Sequence, residues 1–223
     1  MEIETLYTFF LNASEICTDT RKLEEGCLFF AFSGPNFDGN KFAEQALKKG
    51  ALAVVIDNSK LKLKGENIIL VKNTLNTLQE LAAFHRQKLN TCLIALTGSN
   101  GKTTTKELIR EVLASKYKVL ATQGNLNNHI GVPLTLLKLK PYHEIAIVEM
   151  GANHPGEIAA LSEIAKPNWG FITNFGKAHL EGFGSLEGVI RSKSELYKHL
   201  INNKQKILIN LDDTEQIKQT KGY

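Results

Sequence analysis

An apolar run over residues 92–96 delivers this chain into Thr97-Gly98-Ser99-Asn100-Gly101, and a helix-forming stretch opens at once with Lys102-Thr103-Thr104-Thr105. No other feature constrains the fold so tightly. A buried strand that passes through glycines and restarts as a helix aims several backbone N–H groups and the helix dipole at one point, where an anion binds. The strict phosphate-loop pattern has glycine five places before Gly101, where this sequence has Leu96, so the match is to a variant whose first glycine is Gly98. Gly98, Ser99, Asn100, Gly101 and Thr104 are expected to line the cradle. Lys102 is expected to reach the β- and γ-phosphates of ATP, and the Thr103 hydroxyl to bind Mg²⁺. The competing reading is an ordinary strand-to-helix turn.

The rest of the sequence supplies a matching frame. Strands are predicted at 26–32, 51–56 and 68–71 and helices at 41–49 and 76–88, which reads as a small α/β domain over residues 1–90. From 91 to 223 the order is strand (92–96), loop, helix (102–116), strand (118–122), helix (131–139), strand (144–149), helix (156–165), strand (169–174), helix (186–201) and strand (205–210). Apolar strands alternating with helices predict a mostly parallel sheet covered on both faces. The fold class is therefore α/β in two domains, the second built on the phosphate loop and expected to be incomplete, because the chain stops soon after its last strand in a polar tail, Thr214 to Tyr223.

Composition removes several alternatives. With 43% apolar and 22% charged residues among 223, disorder is not expected. The net charge of +4 comes from scattered lysines, without the basic block of a nucleic-acid groove, so an anionic small ligand explains it better. Cys17, Cys27 and Cys92 fall in no metal-ligand spacing and read as buried reduced thiols of a cytoplasmic protein. No apolar run approaches the roughly 18 residues of a membrane span, and the N-terminus lacks a basic leader, so neither insertion nor secretion is expected.

Five further positions carry chemistry. Glu149 ends the predicted strand 144–149, at the carboxyl edge where open α/β sheets hold their ligands, and a carboxylate there can hold the Mg²⁺ of MgATP. The other possibility is a solvated strand-end acid. At about 100° per residue, the helix after Ser185 gathers Val189, Ile190, Leu196, Tyr197, Leu200 and Ile201 into an apolar stripe with Lys193 in its middle, while Arg191, Glu195, Lys198 and His199 form a solvated face. A lysine so placed either snorkels or is held, desolvated and reactive, for catalysis facing Glu149 and His179. His179, after strand 169–174, shares that edge and is a candidate second metal ligand. Asn127 and Asn128 offer neutral donors to a polar substrate, or simply form turns.

Taken together, Thr97 to Thr105, Glu149, Asn174 with His179, and Lys193-Ser194-Glu195 resemble the central ATPase domain of the Mur ligase family of bacterial cell-wall synthesis. Thr18-Asp19-Thr20-Arg21, Gly26 to Ala31, Asp38-Gly39 and Gly50-Ala51 are similar to the UDP-sugar-binding domain of that pathway's two later enzymes. The runs Gly124 to Pro133 and Gly176 to Ser185 look most like the branch that adds D-alanyl-D-alanine to a UDP-N-acetylmuramoyl tripeptide. The resemblance implies ATP-dependent amide formation through an acyl phosphate. It implies Lys102, Lys193 and His179 as catalytic residues and Thr103, Glu149, His179 and carbamylated Lys193 as metal ligands. Asp19, Thr20 and Arg21 would hold the UDP end, with Asn127 and Asn128 near the substrate, in a cytoplasmic monomer. Family members continue into a third domain, so this chain is expected to be truncated, to fold, and not to ligate alone. Rival expectations are the preceding ligase of the pathway, a folylpolyglutamate-type ligase and a non-catalytic nucleotide-binding module.

Overall fold

Strands buried on both faces are written as continuous apolar runs, and this chain uses such runs to build two parallel sheets. The computed structural model describes residues 2–61, 63, 65–176 and 180–223. They divide into two compact units, Met1–His85 and Arg86–Tyr223.

The first unit contains α1 (Ile3–Asn12), β1 (Ile16–Cys17), β2 (Leu28–Phe30), a hairpin of β3 (Ser33–Gly34) and β4 (Phe37–Asp38), α2 (Ala43–Lys48), β5 (Ala53–Ile56), β6 (Ile68–Leu70) and most of α3 (Thr74–Gln87). Its main sheet runs β1-β2-β5-β6, every pair parallel. Phe29, Ala31, Val54 and Ile56 pack with Ala43 and Ala46 of α2 and with the Cys17 and Cys27 thiols as one core. Burial raises the pKa of both thiols, that of Cys27 to about 12. Cys92, in the second unit, is only half-buried, contrary to the expectation of three buried thiols. Helix α1 was not foreseen. Its Tyr7 and Phe10 rings pack on His85, and the Tyr7 hydroxyl meets His85 Nδ1 at 3.0 Å.

The second unit contains β7 (Cys92–Thr97), α4 (Lys102–Ala114), β8 (Val119–Ala121), α5 (Gly131–Leu137), β9 (Ile145–Glu149), α6 (Glu157–Ala165), β10 (Trp169–Ile172), α7 (Leu180–Phe183), α8 (Leu186–Lys193), α9 (Glu195–Asn202), β11 (Lys206–Leu208) and α10 (Thr214–Gln219). The sheet order is β11-β10-β7-β9-β8, again all parallel. Strand β7 is central, so the loop after it opens between the carboxyl ends of β9 and β10. That position is where ligands collect on sheets of this kind.

Two expectations are corrected here. The helix foreseen over 186–201 is two helices, because Ser194 takes φ −66° and ψ −8° and starts a new first turn at Glu195. The face expected to be solvated is only partly so. Arg191 and Lys198 are exposed, but His199 is buried with its Nδ1 2.9 Å from Glu163, and Glu195 accepts from Gly156 N at 2.7 Å and Ala159 N at 3.0 Å. The carboxylate thus caps the N-terminus of α6, a favourable site for negative charge.

The tail expected to be merely polar forms α10, capped by the Asp213 side chain on Glu215 N and Gln216 N. Gln216 is fully buried. Its amide donates to Ile172 O at 2.9 Å and accepts from the Tyr197 hydroxyl at 3.1 Å and Asn210 N at 2.9 Å. Substituting Gln216→Leu strands these partners without water, at about 1–3 kcal/mol for each buried group left unpaired. We expect a loss of about 3 kcal/mol in urea unfolding followed by far-ultraviolet circular dichroism, whereas Gln219→Leu, half-exposed on the same helix, leaves the midpoint unchanged within error.

Candidate phosphate-binding site

Glycine is required at one position of the loop after β7 and favoured at a second. Gly98 has φ +148°, and a Cβ there would meet Thr173 Oγ1 at 1.8 Å. Gly101 has φ +76° and leads directly into α4. The loop is braced from β10: Ser99 N donates to Asn174 O at 3.1 Å, and Asn100 N to Asn174 Oδ1 at 3.2 Å. Thr173 Oγ1 donates to Asn100 O at 2.6 Å, and Ser99 Oγ to Gly176 O at 2.7 Å. The free N–H groups at the start of α4 therefore sit on a fixed frame.

Lys102 arches back over this loop, its Nζ 2.9 Å from Gly98 O. Burial lowers its pKa, and the Glu149 charge partly opposes the shift. Pairing of β7 with β9 sets Leu96 opposite Glu149, which puts the carboxylate beside the loop. Glu149 is 1% exposed. Its Oε2 accepts from Thr103 Oγ1 at 3.0 Å and its Oε1 from Asn127 Nδ2 at 2.8 Å, while its backbone N–H donates to Thr122 Oγ1 at 3.0 Å. Thr103 and Glu149, both expected as Mg²⁺ ligands, thus meet at one carboxylate together with Asn127, which was expected near the substrate. Asn128 does something else: its Oδ1 accepts from Ile130 N and Gly131 N and caps α5. Thr104 is exposed on the first turn of α4.

Lys193 is 1% exposed, with its Nζ 5.7 Å from the centroid of the Phe183 ring. Burial, reinforced by the Lys102 charge, lowers its pKa from 10.5 to about 8. The charge that acts on it is that of Lys102. His179 lies outside the described residues.

Asp19, Thr20 and Arg21 belong to the first unit. The Asp19 carboxylate accepts from Arg21 N at 3.0 Å and pairs with the Arg21 guanidinium at 2.6 Å, and hydrogen bonds from Arg21 lower its pKa to about 2. Lys49 Nζ donates to Thr20 O at 2.9 Å. The motif is a tight turn that presents an exposed guanidinium.

Among the described residues no three His, Cys, Asp or Glu side chains form a metal-binding group. Glu149 and Thr103 nonetheless suit Mg²⁺, which is usually held by one or two carboxylates together with substrate phosphates and several waters. Sequence reasoning missed Thr173, Thr122 and Lys106. The threonines follow apolar strands at their carboxyl ends, and Lys106 falls one turn after Lys102, a spacing that could have flagged it.

Residues 96–222 match the model of the Mur ligase middle domain, and residues 12–86 that of the Mur ligase family catalytic domain. The UDP-N-acetylmuramoyl-tripeptide--D-alanyl-D-alanine ligase of Haemophilus influenzae is 44% identical over 86% of this chain and 43% of its own length. Its Bacillus subtilis counterpart is 45% identical over 93% and 46%. The chain thus spans about half the length of the curated relatives it matches. A crystal structure of MurF from Acinetobacter baumannii superposes with a TM-score of 0.83 at 34% identity, covering 98% of this chain and 51% of that one. MurF ligase from Thermotoga maritima in complex with ADP gives 0.78 at 36%, covering 85% and 44%.

The depressed lysine yields a prediction with a definite sign. Between about 8 and 10.5 the unfolded chain binds more protons at Lys193 than the folded one, so stability rises with pH across that window. Lys193→Met is therefore expected to raise the melting temperature at pH 7, where the buried amine is charged, and to lose that advantage as pH climbs toward 10.5. Thermal melts of both proteins at a series of pH values check this.

Proposed function

The chain belongs to the Mur ligase family, and on that premise we propose that it binds nucleotide and UDP-substrate for an ATP-dependent ligase of peptidoglycan precursor synthesis. The reaction is addition of D-alanyl-D-alanine to a UDP-N-acetylmuramoyl tripeptide. The observation that carries this reading is the buried Glu149 carboxylate, bracketed by Thr103 and Asn127 beside a loop that Thr173 and Asn174 hold open. The relatives' names support the choice of substrates.

In this reading residues 1–90 hold the UDP end, with the exposed Arg21 guanidinium, which Asp19 orients, meeting a phosphate, and residues 91–223 hold ATP. A carboxylate oxygen of the tripeptide attacks the γ-phosphorus, the bond to the bridging β-oxygen breaks, and ADP leaves with the electron pair. The amine of D-alanyl-D-alanine then attacks the acyl carbon of the resulting acyl phosphate, inorganic phosphate departs, and the nitrogen loses a proton. Lys102 and the N–H groups at the start of α4 neutralise charge on the phosphates. Bound Mg²⁺ would offset the repulsion between the two anionic reactants. Thr103 and Glu149 would hold it, with His179 and a carbamate on Lys193 serving a second ion. A low lysine pKa favours the neutral amine that reacts with CO₂. The protein works as a cytoplasmic monomer. We assign positioning of the incoming amine to the half of the relatives that this chain does not match.

Calorimetry on the 223-residue chain tests the assignment. ADP with Mg²⁺ is expected to bind, and Lys102→Ala to weaken it at least about tenfold, or about 1.4 kcal/mol. Unchanged affinity in that variant would remove the phosphate loop from the argument. Arg21→Ala is expected to weaken UDP-N-acetylmuramoyl tripeptide and leave ADP affinity alone. With both substrates and ATP present, the chain is expected to form no UDP-N-acetylmuramoyl pentapeptide, because proximity of the amine supplies roughly 7–11 kcal/mol of the barrier.

A further inference from the structure

Lys106 is 0% exposed, yet it takes no part in the reaction described above. Its Nζ donates to Thr122 O at 2.6 Å and pairs with Glu107 Oε1 at 2.8 Å. An ammonium taken wholly out of water is costly unless closely paired, and an apolar side chain of the same length would fill the space at no such cost. What the pairing achieves is positional. Thr122, itself buried, follows β8 and uses its Oγ1 to accept the backbone N–H of Glu149 at 3.0 Å. Helix α4 therefore holds the end of β9 at two points one turn apart. Thr103 grips the Glu149 carboxylate directly, and Lys106 grips the backbone of the residue that anchors the Glu149 main chain.

We propose that Lys106 is a positioning residue that fixes Glu149, through Thr122, in the geometry needed for divalent cation binding with nucleotide. The proposal rests on the reading of Glu149 as a Mg²⁺ ligand. Lys106 touches neither nucleotide nor metal in this account, so its loss should spare the phosphate grip of Lys102 and impair only the response to the cation.

The experiment is calorimetric titration of the whole chain with ADP, with and without Mg²⁺, for the unsubstituted protein, Lys106→Met, Thr122→Val, the double variant and Thr103→Val. Circular dichroism confirms the fold of each. The unsubstituted chain is expected to bind ADP more tightly with Mg²⁺. In Lys106→Met and Thr122→Val the Mg²⁺ enhancement should fall at least about fivefold while ADP affinity without Mg²⁺ stays within about twofold. The double variant should be no worse than either single one, because both break the same chain of contacts. If Lys106→Met does not fold, Thr122→Val decides the matter alone. Undiminished Mg²⁺ enhancement in a folded Lys106→Met or Thr122→Val protein, with enhancement lost in Thr103→Val, overturns the role of Lys106 and leaves Glu149 as a ligand. Failure of the unsubstituted chain to bind ADP, or to respond to Mg²⁺, overturns the reading of the site and this inference with it.

Discussion

The second unit is organised around a carboxylate kept out of water. A buried charge persists only where every oxygen finds a donor, and Glu149 finds Thr103 on the phosphate-loop helix and Asn127 on the loop before α5. Those two contacts tie two segments of the chain to one strand end. The Lys102 ammonium supplies the opposite charge nearby, and its own burial is tolerated partly for that reason. Lys193 meets the same cation without such a partner among the described residues, and its pKa falls accordingly. Glu149 therefore offsets part of the cost of burying Lys102, while burial and the Lys102 charge together hold the Lys193 pKa down.

Much of this frame was legible in the sequence because its signals are local. A continuous apolar run such as Leu93-Ile94-Ala95-Leu96 can hardly be anything but a strand covered on both faces, and the glycines at 98 and 101 mark the turn that follows. Alternation of such runs with helical stretches implied a parallel sheet, and the sheet is wholly parallel. Lys193 was legible from periodicity alone, as the cation in an apolar stripe, and it is buried. Helix α1 escaped because its apolar positions pack on α3, some seventy residues onward, a pairing no short window reveals.

What remained hidden was the business of polar side chains at a distance. Glu195 and His199 lie where a helical wheel puts solvent, yet each has a partner 36 or more residues away in the chain. Gln216 sits in a polar tail whose composition suggests nothing buried, and it is enclosed because three separate segments offer it hydrogen bonds. Asn127 and Asn128 illustrate the same limit at close range. Adjacent and chemically identical, they differ only in direction: one reaches the strand-end carboxylate and the other closes a turn.

The strand order of the second unit also dictates when the site can come into being during synthesis. Strand β7 is made first, but its neighbours in the sheet are β9 and β10, and β8 pairs only with β9. When the ribosome has released residues up to 121, the two strands then present are not partners and lie a strand's width apart in the finished sheet, about 10 Å. They cannot hydrogen-bond to each other in the native arrangement. The phosphate loop and its helix must therefore wait for Ile145–Glu149 to emerge and slide between them. Because that strand ends in the carboxylate, the step that first closes the sheet is also the step that brings Glu149 to Thr103, and no natively paired stage of growth carries the loop without its acid.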